Sequence, residues 1–171
     1  MNNIVLYCPE IPQNTGNIMR TCAALNMRLH LIKPLGFFLD EYHVRRTGMD
    51  YRDMIEYQLY DDFADFVSKN KDGRLVMFTR YGLHSFAECD FTKDHRDIYL
   101  VFGKESTGIP KTILREYLAD AYRLPMVPTA RSLNLSNCVA IGAYECLRQR
   151  GFEGLSTTEV IKGKDWLLRD E

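Results

Sequence analysis

Three polar, glycine-bearing segments hold the residues best suited to chemistry. The first is Pro12-Gln13-Asn14-Thr15-Gly16-Asn17-Ile18-Met19-Arg20, in which a tight turn opens a helix and sends Arg20 out from its first turns. Unpaired N–H groups at such a start, beside a guanidinium, suit a phosphate or another anion. A capped helix with a surface arginine accounts for the same residues equally well. The second is Phe102-Gly103-Lys104-Glu105-Ser106-Thr107-Gly108-Ile109-Pro110. Its glycines permit backbone conformations that let the chain approach a ligand closely. They do not make a Walker loop, because Gly108 is followed by Ile109-Pro110 and not by Lys-Ser/Thr. A nucleophile elbow fails too, since two residues separate Gly103 from Ser106.

The third segment is Leu124-Pro125-Met126-Val127-Pro128-Thr129-Ala130-Arg131-Ser132-Leu133-Asn134-Leu135-Ser136-Asn137, which leads into a long helical pattern. Ser132, Asn134, Ser136 and Asn137 crowd four hydroxyl or amide side chains into six positions. Helix capping explains one or two of them, hardly all four. Other catalytic patterns are missing. There is no H-E-x-x-H, and His30, His43, His84 and His95 are scattered without ligand spacing, so no metal site is expected. No G-x-G-x-x-G follows the first strand, which leaves a Rossmann site unsupported.

The elements that must position these segments alternate. Apolar runs at 4–8, 29–32, 75–78, 98–102 and 122–124 read as buried strands. Amphipathic stretches at 17–27, 61–69, 111–118 and 136–150 read as helices. The order predicts an α/β fold with a mainly parallel sheet flanked by helices. Asn14 or Thr15 is the expected cap of the first helix, Pro110 suits the first turn of a later one, and Ser136 or Asn134 caps the last. Gly142, inside that last helix, offers room for another backbone. All three polar segments follow predicted strands, where open α/β sheets place their ligands.

Length and composition fit one ordinary domain: 171 residues, 46% hydrophobic and 26% charged. Five cysteines without a C-x-x-C pair argue against a disulfide framework or a zinc site. The N-terminus has neither the basic region nor the apolar core of a signal peptide, and no stretch approaches membrane-spanning length, so a cytoplasmic protein without a membrane partner is expected. A net charge of −1 does not announce a nucleic-acid binder. Between Arg20 and Arg52, however, six cations (Arg20, Arg28, Lys33, Arg45, Arg46, Arg52) face three anions (Asp40, Glu41, Asp50). An ordinary solvated surface explains that excess as well.

Taken in order, the three segments resemble the motifs of the SPOUT RNA methyltransferases, in particular the group that methylates ribose 2′-hydroxyls. N-x-G-x-x-x-R reads as Asn14, Gly16 and Arg20, and F-G-x-E-x-x-G as Phe102, Gly103, Glu105 and Gly108. L-P-M followed by S-L-N-L-S-N reads as Leu124-Pro125-Met126 and Ser132-Leu133-Asn134-Leu135-Ser136-Asn137. The likeness extends through Asn3 to Tyr7, Pro9 to Pro12 and Arg45 to Tyr51, and so over about the first 155 residues. It is similar to the family of tRNA (cytidine(34)-2′-O)-methyltransferases, which modify wobble cytidine or uridine in leucine tRNAs.

That resemblance implies an α/β knot, a C-terminal trefoil, in residues 1–155, with 156–171 a tail of no assigned role. It implies S-adenosylmethionine as methyl donor, S-adenosylhomocysteine as product, tRNA as partner and a homodimer. Cofactor contacts fall on Phe78, Thr79, Gly103, Glu105, Gly108, Ile109, Leu124, Met126, Ser132, Leu133 and Asn134. RNA contacts fall on Asn14, Arg20, Arg45, Arg46 and Arg131, with Arg20 the catalytic residue. An arginine is a donor-only side chain, which fits phosphate anchoring and alkoxide stabilisation better than proton removal. Rival readings are a methyltransferase for ribosomal RNA or another tRNA position, a non-catalytic RNA-binding module of the same fold, and more distantly a phosphate-handling enzyme.

Overall fold

The computed structural model describes residues 2–39, 56–93 and 95–169. Among these residues seven strands form one sheet: β1 (Asn2–Tyr7), β2 (Arg28–Ile32), β3 (Tyr57–Tyr60), β4 (Arg74–Phe78), β5 (His84–Ser85), β6 (Ile98–Phe102) and β7 (Ala121–Arg123). Their spatial order is β3-β2-β1-β6-β4-β7-β5. Every pairing is parallel, from Asn3 opposite Arg28 at one side to Ser85 opposite Arg123 at the other. Four α-helices are described: α1 (Pro12–Ala24), α2 (Phe63–Lys69), α3 (Lys111–Glu116) and α4 (Leu135–Gln149). The expected α/β class with a mainly parallel, helix-flanked sheet is therefore observed.

Period-two alternation sorts the strand residues into two apolar layers. Ile4, Leu6, Val76, Phe78, Leu100 and Phe102 pack with Ile18, Met19 and Cys22 of α1 and Val139, Ala143 and Leu147 of α4. Val5, Leu75, Met77, Tyr99 and Val101 face the other way, onto Phe66 of α2 and Leu114 of α3. Burial on both faces is why β1, β4 and β6 read as near-continuous apolar runs. β3 and β5 escape that reading. Tyr57, Gln58 and Leu59 are exposed at an edge, and β5 is only two residues long.

The first helix differs from expectation. It begins at Pro12, with Ile11 as N-cap and no cap from its own side chains, so Asn14 and Thr15 lie inside it and do not cap it. Proline at N1 presets the helical φ, and a distant carboxylate described below takes the N–H groups of Glu10 and Ile11 just ahead of the helix. Pro110 sits at the N-cap of α3, one place before its first turn. Asn134 caps α4, accepting from Ser136 N and Asn137 N. A Cβ on Gly142 would meet Phe78 at 3.0 Å and Phe102 at 3.2 Å, so this glycine makes room for two ring edges and not for a backbone. After Leu155 the tail has one 3-10 turn, Trp166–Leu168, and Lys162 stands over the Trp166 ring at 4.5 Å.

Candidate active site

A cavity of about 420 Å³ opens at the carboxyl ends of β4, β6 and β7. Open α/β sheets bind ligands at these ends, and this volume is in the range of small-molecule sites. The three polar segments meet here. Phe78, Thr79, Gly103, Glu105, Gly108, Ile109, Leu124, Met126, Ser132, Leu133 and Asn134 all line it, as does Asn14.

Hydrogen bonds explain how stretches so far apart in sequence hold one wall. The Glu105 carboxylate accepts from Glu10 N (2.9 Å), Ile11 N (3.3 Å) and the Asn14 side-chain amide (3.0 Å). It thereby takes the N–H of the N-cap residue Ile11 and that of Glu10 before it, and sets a negative charge beside the N-terminal end of α1. Glu10 returns the contact, accepting from Ser106 N (2.9 Å) and Ser106 Oγ (2.8 Å). The Ser106 bonds hold the Glu10 carboxyl below the usual carboxylate range. Asn134 donates to Asn14 Oδ1 at 3.0 Å, and Ser136 Oγ donates to Asn134 Oδ1 at 2.6 Å. A continuous path, Ser136–Asn134–Asn14–Glu105, so ties all three segments together.

These bonds account for Asn134 and Ser136 as a cap and for Asn14 and Glu105 as braces. Ser132 lines the cavity and is exposed, its hydroxyl left for a ligand. The 103–109 turn is closed by Gly108 N donating to Lys104 O at 2.9 Å. A Cβ on Gly103 would stand 2.3 Å from Gly108 C and Ile109 N, and Gly108 has φ +73°, so both positions require glycine. The floor is apolar: Phe78 and Phe102 stack at 4.8 Å between centroids. Cys138 also lines it, and burial raises its thiol pKa, so it serves as a neutral apolar group.

Not every expected residue reaches the cavity. Arg20 is exposed on the stripe of α1 that carries Gln13, Asn17 and Ala24, and it does not line the wall. Six residues beyond Asn14, it stands roughly 9 Å farther along the helix axis. Arg131 is exposed on the loop before α4 and is also outside the lining. Arg45 and Arg46 lie outside the described residues. Asn14, expected at the RNA, lines the cavity, is 7% exposed and is bonded on both sides of its amide. Sequence reasoning missed Ile11, Arg80, Tyr81, Lys104 and Cys138 in the lining. Arg80 and Tyr81 follow Thr79 after a predicted strand, so the strand-end rule was the signal that could have found them. Among the described residues no three His, Cys, Asp or Glu side chains are grouped to hold a metal ion, and no helix is long and apolar enough to cross a membrane.

Comparison with known proteins gives the geometry its context. Residues 1–144 match the model of the SpoU rRNA Methylase family. A protein of Listeria monocytogenes serotype 4b (strain F2365), provisionally named a tRNA (cytidine(34)-2'-O)-methyltransferase, is 47% identical over 154 residues, 90% of this chain and 91% of that one. The tRNA (cytidine(34)-2'-O)-methyltransferase of Escherichia coli (strain K12) is 42% identical over 155 residues, 90% of this chain and 97% of its own. A solved structure described as giving insight into 2-OH methylation of C/U34 on tRNA superposes with a TM-score of 0.78 at 42% identity, over 88% of this chain and 97% of that chain.

Proposed function

The chain belongs to the SpoU rRNA Methylase family, and from that membership we propose that it transfers a methyl group from S-adenosylmethionine to the 2′-hydroxyl of nucleotide 34 of tRNA, a wobble cytidine or uridine, in leucine tRNAs. The observation that carries this reading is the meeting of Asn14 with the 102–110 and 124–137 segments around one cavity.

The residues present fit an adenosyl ligand. Gly103 leaves the main chain bare where a Cβ has no room, the Phe78–Phe102 floor is apolar, and Ser132 supplies a free hydroxyl. When bound, S-adenosylmethionine supplies a methyl group already activated on a sulfonium. Main-chain groups at Phe78, Gly103 and Leu124 would hold the adenosine, with Thr79, Gly108, Ile109, Met126, Leu133 and Asn134 completing the wall around it. Glu105 keeps that wall in register through α1, so its contribution is positioning. Fixing the two reactants is the larger share of the rate: orientation contributes roughly 7–11 kcal/mol, a general base about 10²–10⁴-fold.

Arg20 stands outside the wall, so it meets the acceptor ribose alongside the RNA. It anchors the adjacent phosphate and stabilises the developing alkoxide. Arg131, Arg45 and Arg46 extend the RNA contact. We take residues 1–155 as the domain, 156–171 as an added tail, and the crossing of the 102–110 and 124–137 loops as a C-terminal trefoil knot. The working form is a cytoplasmic homodimer. Supporting it, Ile141 (40%) and Tyr144 (53%) are exposed on α4, the helix packed along α1.

The test is transfer of labelled methyl from S-adenosylmethionine to bulk tRNA, with the labelled ribose mapped. Label at the 2′-oxygen of residue 34 is expected. Arg20→Ala should lose at least about 10²-fold in rate while keeping its affinity for S-adenosylhomocysteine. Label elsewhere moves the target to another RNA position, and no label leaves a non-catalytic RNA-binding module.

A further inference from the structure

The cavity lining includes one aromatic ring that stands out into solvent and has no place in the packed layers. Tyr81 is 66% exposed and lines the opening, beside the likewise exposed Arg80. The Arg80 guanidinium stands 5.2 Å from the Tyr81 ring centroid, on one face.

This ring sits on a stiff turn. Thr79 N donates to Tyr122 O at 2.9 Å, Gly82 N donates to Thr79 O at 3.2 Å, and Tyr81 N donates to Thr79 Oγ1 at 3.3 Å. Arg123 donates through Nη1 to Arg80 O, tying the turn to β7. Gly82 lies so close to β7 that a Cβ would be 2.5 Å from Tyr122 C. An exposed aromatic on a mobile loop is a common surface feature. One fixed at the opening of a ligand cavity, with a cation on one face, has little ordering entropy left to lose on stacking.

Charge around it favours a nucleic acid over a protein surface. Arg80 and Arg123 form no ion pair among the described residues, while Glu105 of the lining is taken up by the N–H groups of Glu10 and Ile11 and Glu10 by Ser106 and Lys104. Unpaired bases of a loop stack on tyrosine rings and arginine planes, and that contact tolerates any base.

We infer that Tyr81, backed by Arg80, is the platform on which a base of the anticodon loop stacks when its ribose enters the cavity. The inference rests on the tRNA reading above and names a binding residue within it. Tyr81 touches no reacting atom, so its loss changes RNA capture and not the chemistry of transfer.

The experiment compares wild type, Tyr81→Ala and Tyr81→Phe in three measurements: steady-state methylation of tRNA, calorimetric binding of S-adenosylhomocysteine, and mass in solution. Tyr81→Ala should raise KM for tRNA about tenfold with kcat within about twofold, and Tyr81→Phe should restore it. Cofactor-product affinity and mass should match wild type. An unchanged KM in Tyr81→Ala overturns the inference. Parallel loss of S-adenosylhomocysteine affinity makes the ring a cofactor lid, and a changed mass makes it a protein contact; either also overturns it. Wild type that methylates no tRNA defeats the functional reading itself, whereas an active wild type with an equally active Tyr81→Ala defeats only the stacking platform.

Discussion

Two polar networks in this protein use the same kinds of groups to opposite ends. At the cavity, Glu105, Asn14 and Asn134 join three distant segments along a wall that stays open to solvent. On the other side of the sheet, His30, Tyr60, Asn3 and Tyr99 are buried beneath α2 and joined to half-buried Asn70 at its C-terminal end. There, His30 Nε2 faces Asn3 Oδ1 at 3.2 Å, and the Asn3 amide nitrogen donates to Ile98 O. An amide oxygen only accepts, so His30 carries its proton on Nε2, and Nδ1 accepts from the Tyr60 hydroxyl at 2.8 Å. Tyr60 in turn accepts from Asn70, which accepts from Tyr99. The sealed network leaves its buried groups partnered within the chain. The open one leaves Ser132 and bare main chain facing a void of ligand size. Completeness marks the first as structural, and incompleteness marks the second as a site.

The sharpest break between the two is acid. Burial lowers the His30 pKa from 6.5 to about 4. Between these values the unfolded chain binds the proton that the folded one refuses. Stability from this group is therefore whole above about pH 6.5 and falls as pH drops toward 4, by about 3 kcal/mol in all. Urea denaturation across that range should show the slope in wild type and lack it in His30→Gln, whose mutation should leave S-adenosylhomocysteine binding at pH 7.5 unchanged. A wild-type midpoint flat from pH 6.5 to 4 would contradict the buried neutral imidazole.

Next in size is Gly103→Ala, which touches only the open wall. The new Cβ has backbone at 2.3 Å and must push the 103–109 turn apart. S-adenosylhomocysteine affinity should fall about a hundredfold by calorimetry, with overpacking costing about 1–3 kcal/mol of stability. Smaller still is Glu105→Gln. It keeps one acceptor oxygen and replaces the other with a donor facing the N–H groups of Glu10 and Ile11. About tenfold weaker cofactor-product binding and about 1 kcal/mol less stability are expected. Equal effects from Glu105→Gln and His30→Gln on ligand binding would erase the distinction drawn between the networks.

The open network was legible in the sequence and the sealed one was not. Asn14, Glu105 and Asn134 fall in polar segments placed after apolar runs, where few residues are needed for core packing. Their exact partnership was hidden, because the bonds from Glu105 to the residues leading into α1 join positions more than ninety apart, and the local rule pointed to Asn14 and Thr15 as caps instead. Tyr60, Asn70 and Tyr99 carry no motif, and β3 shows three exposed residues in four, so nothing marked them as partners of His30. Arg20 shows the other limit. Its spacing from Asn14 reads as one motif, yet helical geometry turns the two side chains to different surfaces.

The most direct test is a crystal structure with S-adenosylhomocysteine. Density for the ligand is expected between the 102–110 and 124–135 segments, with adenosine against the main chain of Gly103 and Leu124. Ligand bound elsewhere, or that cavity empty at saturating S-adenosylhomocysteine, would contradict the account.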